Sequence, residues 1–306
     1  EKWVYYGSNG KMLYGEQKIG NYYYYFDTVF GSMYSGWKTV NGKTRYYQSN
    51  GQSKIGEYCE NGRWYYFDKN GVMQKGFVQL PGKTVYYNGS GVMQYGEQKI
   101  GDNRYYFSTW DGAMYKGFRN EKEGKVYYKT DGSKCHGEQR INEKWYYFDL
   151  ATGVMQTGFV DLGTKTVYYS TTGSMCYGEK QINGKWYYFG GKNDGAKKTY
   201  WQKVRGKYYW LGSNGVMRTG WQNVYGKYYW LGGSNDGAMK TGWVNDNGAW
   251  YNLNNSGAMN TGWINDNGKW YYSNNLGEMK TGWINDNGTW YFSDASGAMQ
   301  TGVVQV

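Results

Sequence analysis

The stretch Gly262-Trp-Ile-Asn-Asp-Asn-Gly268, which continues as Lys-Trp270-Tyr-Tyr272, holds the pattern that decides the fold of this chain. An Asn-Gly pair separates two short runs that are rich in aromatic residues. This pair is the strongest short-range signal for a type I′ hairpin, because both central residues of that turn need a positive φ. The same pair recurs as Asn41-Gly42, Asn61-Gly62, Asn183-Gly184, Asn247-Gly248 and Asn287-Gly288. Each such stretch therefore predicts one β-hairpin.

An anchor position recurs every 20 to 22 residues, and later positions are counted from it as position zero. The anchors are Gly15, Gly36, Gly56, Gly76, Gly96, Gly117, Gly137, Gly158, Gly178, Tyr200, Gly220, Gly242, Gly262, Gly282 and Gly302. All 12 methionines lie three residues before an anchor. Such periodicity is typical of repeat proteins. Methionine therefore has one repeated structural role, which we interpret as packing between hairpins, with ligand contact as a compatible second role.

Hairpins of this size are marginally stable alone, so each must bury its aromatic face against its neighbours. The sequence therefore predicts an all-β protein, an elongated β-hairpin solenoid. Side chains alternate along a strand, so positions eight and ten share one face while nine and eleven share the other. Position eleven is mostly Phe or Leu and is expected inside: Phe26, Phe67, Phe107, Phe148, Phe189, Leu211, Leu231 and Leu253.

Two classes of repeat divide the chain. Residues 1–198 alternate repeats that begin Gly-Glu with repeats that begin Gly-Trp or Gly-Phe, whereas residues 199–306 carry Trp after nearly every anchor. The boundary between residues 198 and 199 is the only division that resembles a domain boundary. The opening residues look like the middle of a repeat, so we expect the sequence to be a segment of a longer secreted protein.

Composition excludes several classes of protein. The net charge is +11, but Lys and Arg are scattered without basic runs, so no nucleic-acid partner is expected; a solvated surface or attraction to an anionic wall polymer explains the charge. No apolar run could span a bilayer. Cys59, Cys135 and Cys176 lack metal-ligand spacing and are expected to be free thiols. With one histidine and no nucleophile or phosphate-loop motif, no catalytic residue, metal or cofactor is expected, and the segment is not predicted to be an enzyme.

The Trp at position one, directly after the anchor, is called the anchor Trp. An aromatic cage forms if the anchor Trp and the position-eight Trp of one hairpin meet the position-ten aromatic of the next. Three π faces attract a quaternary ammonium by about 0.5 to 2 kcal/mol per ring. Such a cation carries no N–H donor, so the cage needs no carboxylate.

The chain resembles the choline-binding or cell-wall-binding repeat family of Gram-positive bacteria and their phages. The resemblance rests on units such as Thr261-Gly-Trp-Ile-Asn-Asp-Asn-Gly-Lys-Trp-Tyr-Tyr272 followed by Gly277-Glu-Met-Lys-Thr-Gly282, and it covers essentially the whole chain. It implies a left-handed superhelix with choline of teichoic acids held between consecutive hairpins by two Trp and one Tyr-like residue. In the family, a Met closes the cage.

The resemblance implies a set of ligand-binding residues in the C-terminal repeats. In order of expectation these are Trp243, Trp250 and Tyr272; Trp263, Trp270 and Phe292; and Trp201, Tyr208 and Trp230. Trp221 and Tyr228 should form a poorer site, because Asn252 stands where the third ring should be. Trp283 and Trp290 have no following hairpin, so a third wall is absent or comes from a partner chain in a homodimer through the terminal hairpin.

The N-terminal repeats depart from this pattern. Position eight is not aromatic where the anchor is followed by Trp or Phe, since it holds Thr44, Thr84, Lys125 and Thr166. In the Gly-Glu repeats a glutamate replaces the anchor Trp, as in Glu57, Glu138 and Glu179.

The sequence thus predicts a non-catalytic module at the bacterial cell surface that anchors a secreted protein or lysin to choline-bearing teichoic acid. A carbohydrate-binding array, like the related repeats of glucan-binding enzymes and clostridial toxins, is the alternative, with a cell-surface glycan as partner. A passive spacer is a third possibility.

Overall fold

The structure, a computed structural model, describes residues 2–234 and 236–305. It consists of short strands joined by turns. The described residues contain no helix, and hence no helix long and apolar enough to cross a membrane. Two compact units form, one from Glu1–Gln139 with Tyr147–Met155 and the other from Arg140–Tyr146 with Gln156–Val306. The all-β prediction is confirmed. The division by repeat class between residues 198 and 199 is a separate matter and stays a prediction.

In the first unit the strands follow one another in pairs. They are β1 Gly15–Ile19, β2 Tyr22–Phe26, β3 Gly36–Val40, β4 Lys43–Tyr47, β5 Gly56–Glu60, β6 Arg63–Phe67, β7 Gly76–Leu80, β8 Lys83–Tyr87, β9 Gly96–Ile100, β10 Asn103–Phe107, β11 Gly117–Glu121 and β12 Gly124–Tyr128. Strands β13 Gly137–Ile141 and β14 Lys144–Phe148 lie where the two units meet in sequence.

The second unit continues the series. Its strands are β15 Gly158–Asp161, β16 Thr166–Tyr169, β17 Gly178–Ile182, β18 Lys185–Phe189, β19 Tyr200–Val204, β20 Lys207–Leu211, β21 Trp221–Val224, β22 Lys227–Trp230, β23 Gly242–Asp246, β24 Ala249–Leu253, β25 Gly262–Asp266, β26 Lys269–Ser273, β27 Gly282–Asp286 and β28 Thr289–Ser293.

The Asn-Gly pairs close hairpins as predicted. Strands β25 and β26 pair antiparallel, with Asp266 opposite Lys269, and only Asn267 and Gly268 lie between them. Their φ angles are 51° and 82°, the left-handed values that a type I′ turn requires. The register between the two strands is thus set by a local signal in the sequence.

Connecting segments tie each hairpin to the one before it. The amide of Met279 donates to the carbonyl of Trp250, 2.7 Å away in the preceding hairpin, while the amide of Lys280 donates to Tyr272 in its own hairpin at 2.8 Å. In the first unit Met73 bonds in the same way to Thr44. Within each unit, therefore, successive hairpins stack as a β-hairpin solenoid in which contacts pass from neighbour to neighbour.

Methionine packs where the repeat predicted. A Cβ built on Gly277 would overlap the Sδ of Met259, so this side chain lies directly beneath the turn of the next connecting segment. Equivalent glycines meet Met12, Met33, Met73, Met93, Met114, Met175, Met217, Met239 and Met279. The flexible thioether fills the gap between consecutive turns.

Position eleven forms the interior of both units. The predicted Phe and Leu side chains there are all buried, which confirms their assignment. Tyrosine takes the same place in the other repeat class and is equally buried, at Tyr47, Tyr87, Tyr128 and Tyr169. The Tyr47 hydroxyl donates a hydrogen bond to the Glu16 carboxylate at 2.9 Å. Burial, and after it this carboxylate, raises the pKa of Tyr47 far above its ordinary value.

Candidate functional site

Cross-strand pairing places the anchor aromatic beside position ten of its own hairpin. Trp263 lies opposite Tyr272, with ring centroids 5.1 Å apart and planes at 63°. Position three lies opposite position eight, as in the pair of Asn265 and Trp270. The two tryptophans are therefore diagonal neighbours on one face, within reach of large side chains. The prediction that positions eight and ten share a face is confirmed.

The ring supplied by the next hairpin differs from the expectation. Trp243 meets Tyr271, at position nine, with centroids 4.9 Å apart; Tyr272, at position ten, pairs instead with Trp263. Position nine therefore makes the ring contact with the preceding hairpin, because alternation turns position ten to the other face. The ligand-binding role of Tyr272 stays a prediction. In the same way Trp263 meets Tyr291 at 4.6 Å rather than Phe292.

At the other predicted sites, too, the anchor Trp contacts position nine of the next hairpin and not position ten. Trp201 meets Tyr229 at 5.1 Å, whereas Trp230 faces Trp221 in its own hairpin at 5.3 Å. Asn252 is buried opposite Trp243 and accepts a hydrogen bond from Asn260, and the poorer site expected at Trp221 stays a prediction. The ring that Trp221 meets in the next hairpin is Tyr251, at 4.8 Å.

The structure thus defines four aromatic steps in the second unit, each made from an anchor Trp, the position-eight aromatic and a Tyr of the next hairpin. They are Trp201, Tyr208 and Tyr229; Trp221, Tyr228 and Tyr251; Trp243, Trp250 and Tyr271; and Trp263, Trp270 and Tyr291. Trp250 is 45% exposed and Trp270 is 43% exposed, so both rings are open to solvent.

A carboxylate completes three of these steps, and sequence reasoning missed it. The indole Nε1 of Trp243 donates to Oδ2 of Asp266 in the next hairpin at 2.9 Å. Trp263 donates to Asp286 at 3.0 Å, and Trp221 donates to Asp246 at 3.1 Å. The available signal was the Asp that precedes the Asn-Gly turn in three consecutive C-terminal hairpins, at Asp246, Asp266 and Asp286. The carboxylate orients the indole and brings negative charge to the edge of the ring.

The surroundings of Tyr251 in the second aromatic step favour its neutral form. Burial, and after it the charges of Glu278 and Asp246, raise the pKa of Tyr251 above its ordinary value. A tyrosine with the ordinary pKa of about 10 is already neutral at physiological pH, and the shift extends this neutrality to higher pH, so the ring that faces Trp221 is a neutral π surface.

The terminal pair is the most open. Trp283 and Trp290 are both exposed, with centroids 6.4 Å apart and planes at 83°. Phe292 lies 5.2 Å from Trp283 across the strands.

The first unit lacks the position-eight ring in its Trp and Phe repeats, as predicted. Thr44 bonds across the strands to Thr39 at 2.9 Å, and Thr84 donates to Gln79 at 2.7 Å. At the third such position, the Lys125 ammonium lies 4.7 Å from the centroid of the Phe118 ring. A chain cation or a hydroxyl thus takes the place of the second Trp.

Two repeat families and several solved structures match the chain. The choline-binding repeat matches residues 34–75 and 240–281. The cell wall binding repeat matches residues 139–155, 180–196, 199–217 and 281–299. No curated protein sequence matches.

Several of the structural matches are proteins of Streptococcus pneumoniae. Choline-binding protein F aligns at 28% identity over 94% of this chain and 98% of its own, with a TM-score of 0.53. The same protein, crystallised in the presence of a peptidoglycan analogue, aligns at 31% identity over 94% of each chain with a TM-score of 0.43. CbpJ aligns at 30% identity over 87% of this chain and 94% of its own, with a TM-score of 0.42.

Proposed function

This chain belongs to the choline-binding repeat family, and we propose that it is a non-catalytic cell-surface module that binds choline-bearing wall polymer through its aromatic steps. The observation that carries the proposal is the step of Trp243, Trp250 and Tyr271, with Asp266 hydrogen-bonded to the first ring. Three π faces and a nearby carboxylate suit a quaternary ammonium, which needs electrostatic attraction but offers no N–H donor.

Weak individual sites suit a surface polymer. Each ring contributes about 0.5 to 2 kcal/mol to cation binding, so one step alone binds weakly. Several steps in one unit can bind several choline groups of the same polymer, and the second and later contacts gain from high effective concentration. We therefore infer an anchoring role, in which retention at the wall depends on several steps acting together.

Carbohydrate binding is the second candidate. It is favoured by the glutamates that replace anchor Trp beside Trp64 and Trp186, because a carboxylate accepts hydrogen bonds from sugar hydroxyls while an indole stacks on the ring.

A titration of the whole chain separates the two. Choline, binding the native state at several sites, should raise the unfolding midpoint at millimolar concentration. Glucan oligosaccharides at equal concentration should leave it unchanged. The opposite result, a shift with oligosaccharide and none with tens of millimolar choline, would replace this proposal with the carbohydrate one.

A further inference from the structure

In one Gly-Glu repeat the chain fills the space beside the glutamate with its own cation. The guanidinium of Arg45 lies 4.1 Å from the centroid of the Tyr23 ring, and its Nη1 lies 2.5 Å from Oε1 of Glu16. Arg45 is only 2% exposed, and its Nε donates to the carbonyl of Asn70 at 3.2 Å. A cation with N–H donors is thus held between a position-eight ring and a position-one carboxylate.

A second Gly-Glu repeat is filled in a related way. The ammonium of Lys134 lies 3.3 Å from Glu97 and 2.9 Å from Glu121, and the lysine side chain is almost fully buried. Arg104 adds a second pair to Glu97 at 3.4 Å. Lys134 stands where most repeats have Met, so here too the cation comes from the chain itself.

The repeat at Glu179 has the same carboxylate but neither of these internal cations. Arg45 occupies position nine of the hairpin that follows Glu16, and the equivalent residue after Glu179 is Tyr209. The equivalent of Lys134 is Met217, whose amide bonds to the carbonyl of Trp186 at 2.8 Å. A cavity of about 270 Å³ remains, lined by Glu179, Trp186, Tyr209, Leu211, Met217 and Asp236.

The same kind of cavity recurs in the other unit. This cavity of about 200 Å³ is lined by Glu57, Trp64, Lys83, Met93, Tyr95, Trp110 and Asp111. Glutamate, tryptophan, methionine and aspartate thus come from equivalent repeat positions in both cavities. In the Glu57 cavity the chain supplies a cation, because the Lys83 ammonium lies 3.9 Å from Glu57 and donates to the carbonyl of Asp111 at 2.8 Å. The lining of the Glu179 cavity contains no such lysine.

We propose that the Glu179 cavity binds an organic cation that carries N–H donors, a guanidinium or primary ammonium group. The carboxylate of Glu179 takes the part that Glu16 plays towards Arg45, and the Trp186 ring takes the part of Tyr23. Hydrogen bonds to a carboxylate are stronger when the donor is charged, so this pocket discriminates against a quaternary ammonium, which the aromatic steps accept. The site does not depend on choline binding elsewhere.

The existing ion pairs leave the carboxylate accessible. Arg205 approaches Glu179 to 3.4 Å, but its side chain is 85% exposed, and such surface pairs contribute little and are easily exchanged. Asp236 also lines the cavity, and its carboxylate is already paired with Lys240. The cavity volume of about 270 Å³ lies just below the range of about 300 to 1,000 Å³ for small-molecule pockets, which suits one small group.

The indole N–H resonance of Trp186, assigned by its loss in Trp186→Phe, reports on the cavity in the full chain. Ethylguanidinium and ethylammonium should shift it in a saturable way. Tetramethylammonium and N-acetylglucosamine should not shift it at the same concentrations. Glu179→Gln should weaken ethylguanidinium binding by about tenfold, because it replaces a charged acceptor by a neutral one of the same shape.

Two further variants keep the test decisive. Glu123→Gln removes an identical charge from an exposed turn and should leave the titration unchanged. Tyr209→Arg places a chain cation where Arg45 stands in its own repeat, and it should abolish ethylguanidinium binding.

Equal binding by tetramethylammonium, a response to N-acetylglucosamine alone, or full ethylguanidinium affinity in Glu179→Gln would each overturn the proposal. The indole resonance of Trp250, followed with choline in the same samples, tests the proposed function separately.

Discussion

The indole nitrogen of Trp243 donates a hydrogen bond to the carboxylate of Asp266, 2.9 Å away in the following hairpin. This bond joins two repeats at the place where a cation would enter between Trp243 and Trp250. It gives the Asp of the turn a role in the stacking of hairpins, and the proposed function adds a role in binding the cation. Where Val224 occupies the equivalent position, after Trp201, that step has no such carboxylate.

Replacing Asp266 should therefore weaken choline binding at one step. Asp266→Ala frees the indole to rotate and removes a negative charge beside the ligand, so choline affinity at Trp243 should fall by about threefold to tenfold. The measurement is the choline titration of the Trp243 indole resonance. Asp102→Ala, in an exposed turn of the other unit, is the control. Equal affinity in both variants would show that the carboxylate is irrelevant to binding.

The methionine packing can be tested with two glycines of similar backbone. Gly277 has φ of 84° and Gly268 has φ of 82°, so alanine brings the same backbone strain at both. At Gly277 the new Cβ would also overlap Met259, whereas nothing lies within 4 Å at Gly268. Urea unfolding should show that Gly277→Ala costs about 1 to 3 kcal/mol more than Gly268→Ala. Equal losses would mean that Met259 can move aside freely.

A comparison of Arg45 with Arg205 measures how much a buried cation of the chain contributes to the free energy of unfolding. Both bond to the position-one glutamate of a Gly-Glu repeat, but Arg45 is buried and Arg205 is exposed. Arg45→Met leaves the half-buried Glu16 without its partner and should lower the free energy of unfolding by about 2 to 4 kcal/mol. Arg205→Met should change it by less than about 0.5 kcal/mol. Similar losses in the two variants would contradict the interpretation of Arg45 as a structural substitute for a ligand.

Acid should remove stability from two turns of the second unit. Hydrogen bonds from Lys198 and Lys240 lower the pKa values of Asp194 and Asp236 below the ordinary value of 3.8. A carboxyl with a depressed folded-state pKa stabilises the fold fully above its unfolded value and loses that contribution as pH falls through the folded one.

The melting temperature of the wild type should therefore exceed that of an Asp194→Asn, Asp236→Asn variant at pH 7, and the difference should vanish as pH falls from about 4 to 2. A difference that is constant across this range would rule out titration of these two groups as its source.

The hairpins and their interior could be predicted because their signals are local. Asn267-Gly268 sets the turn, and strand alternation then assigns position eleven to the interior. The ring contact made by position nine could not be predicted, because alternation alone does not say which face of the next hairpin turns towards the preceding one. The facing side depends on hydrogen bonds between connecting segments and preceding hairpins, such as the one from the Met279 amide to the Trp250 carbonyl. These are tertiary contacts.

Two other features were hidden by the repeat itself. Asp266 looks like an ordinary polar residue of a turn, and its bond to Trp243 spans 23 residues. Arg45 stands at position nine, where other repeats of its class have Val, so a single cation that breaks the pattern was the available signal. Both residues act between repeats, and periodicity describes what repeats share rather than how they meet.

Retention of the full chain on a choline-substituted matrix, compared between Trp250→Ala and Trp110→Ala, tests the binding role of the aromatic steps most directly. Both tryptophans are exposed, but only Trp250 belongs to an aromatic step. Trp250→Ala should elute at a markedly lower choline concentration than the wild type, because one of several cooperating sites is lost, while Trp110→Ala should elute with the wild type. Unchanged elution of Trp250→Ala, or failure of the wild type to be retained, would contradict choline recognition by these steps.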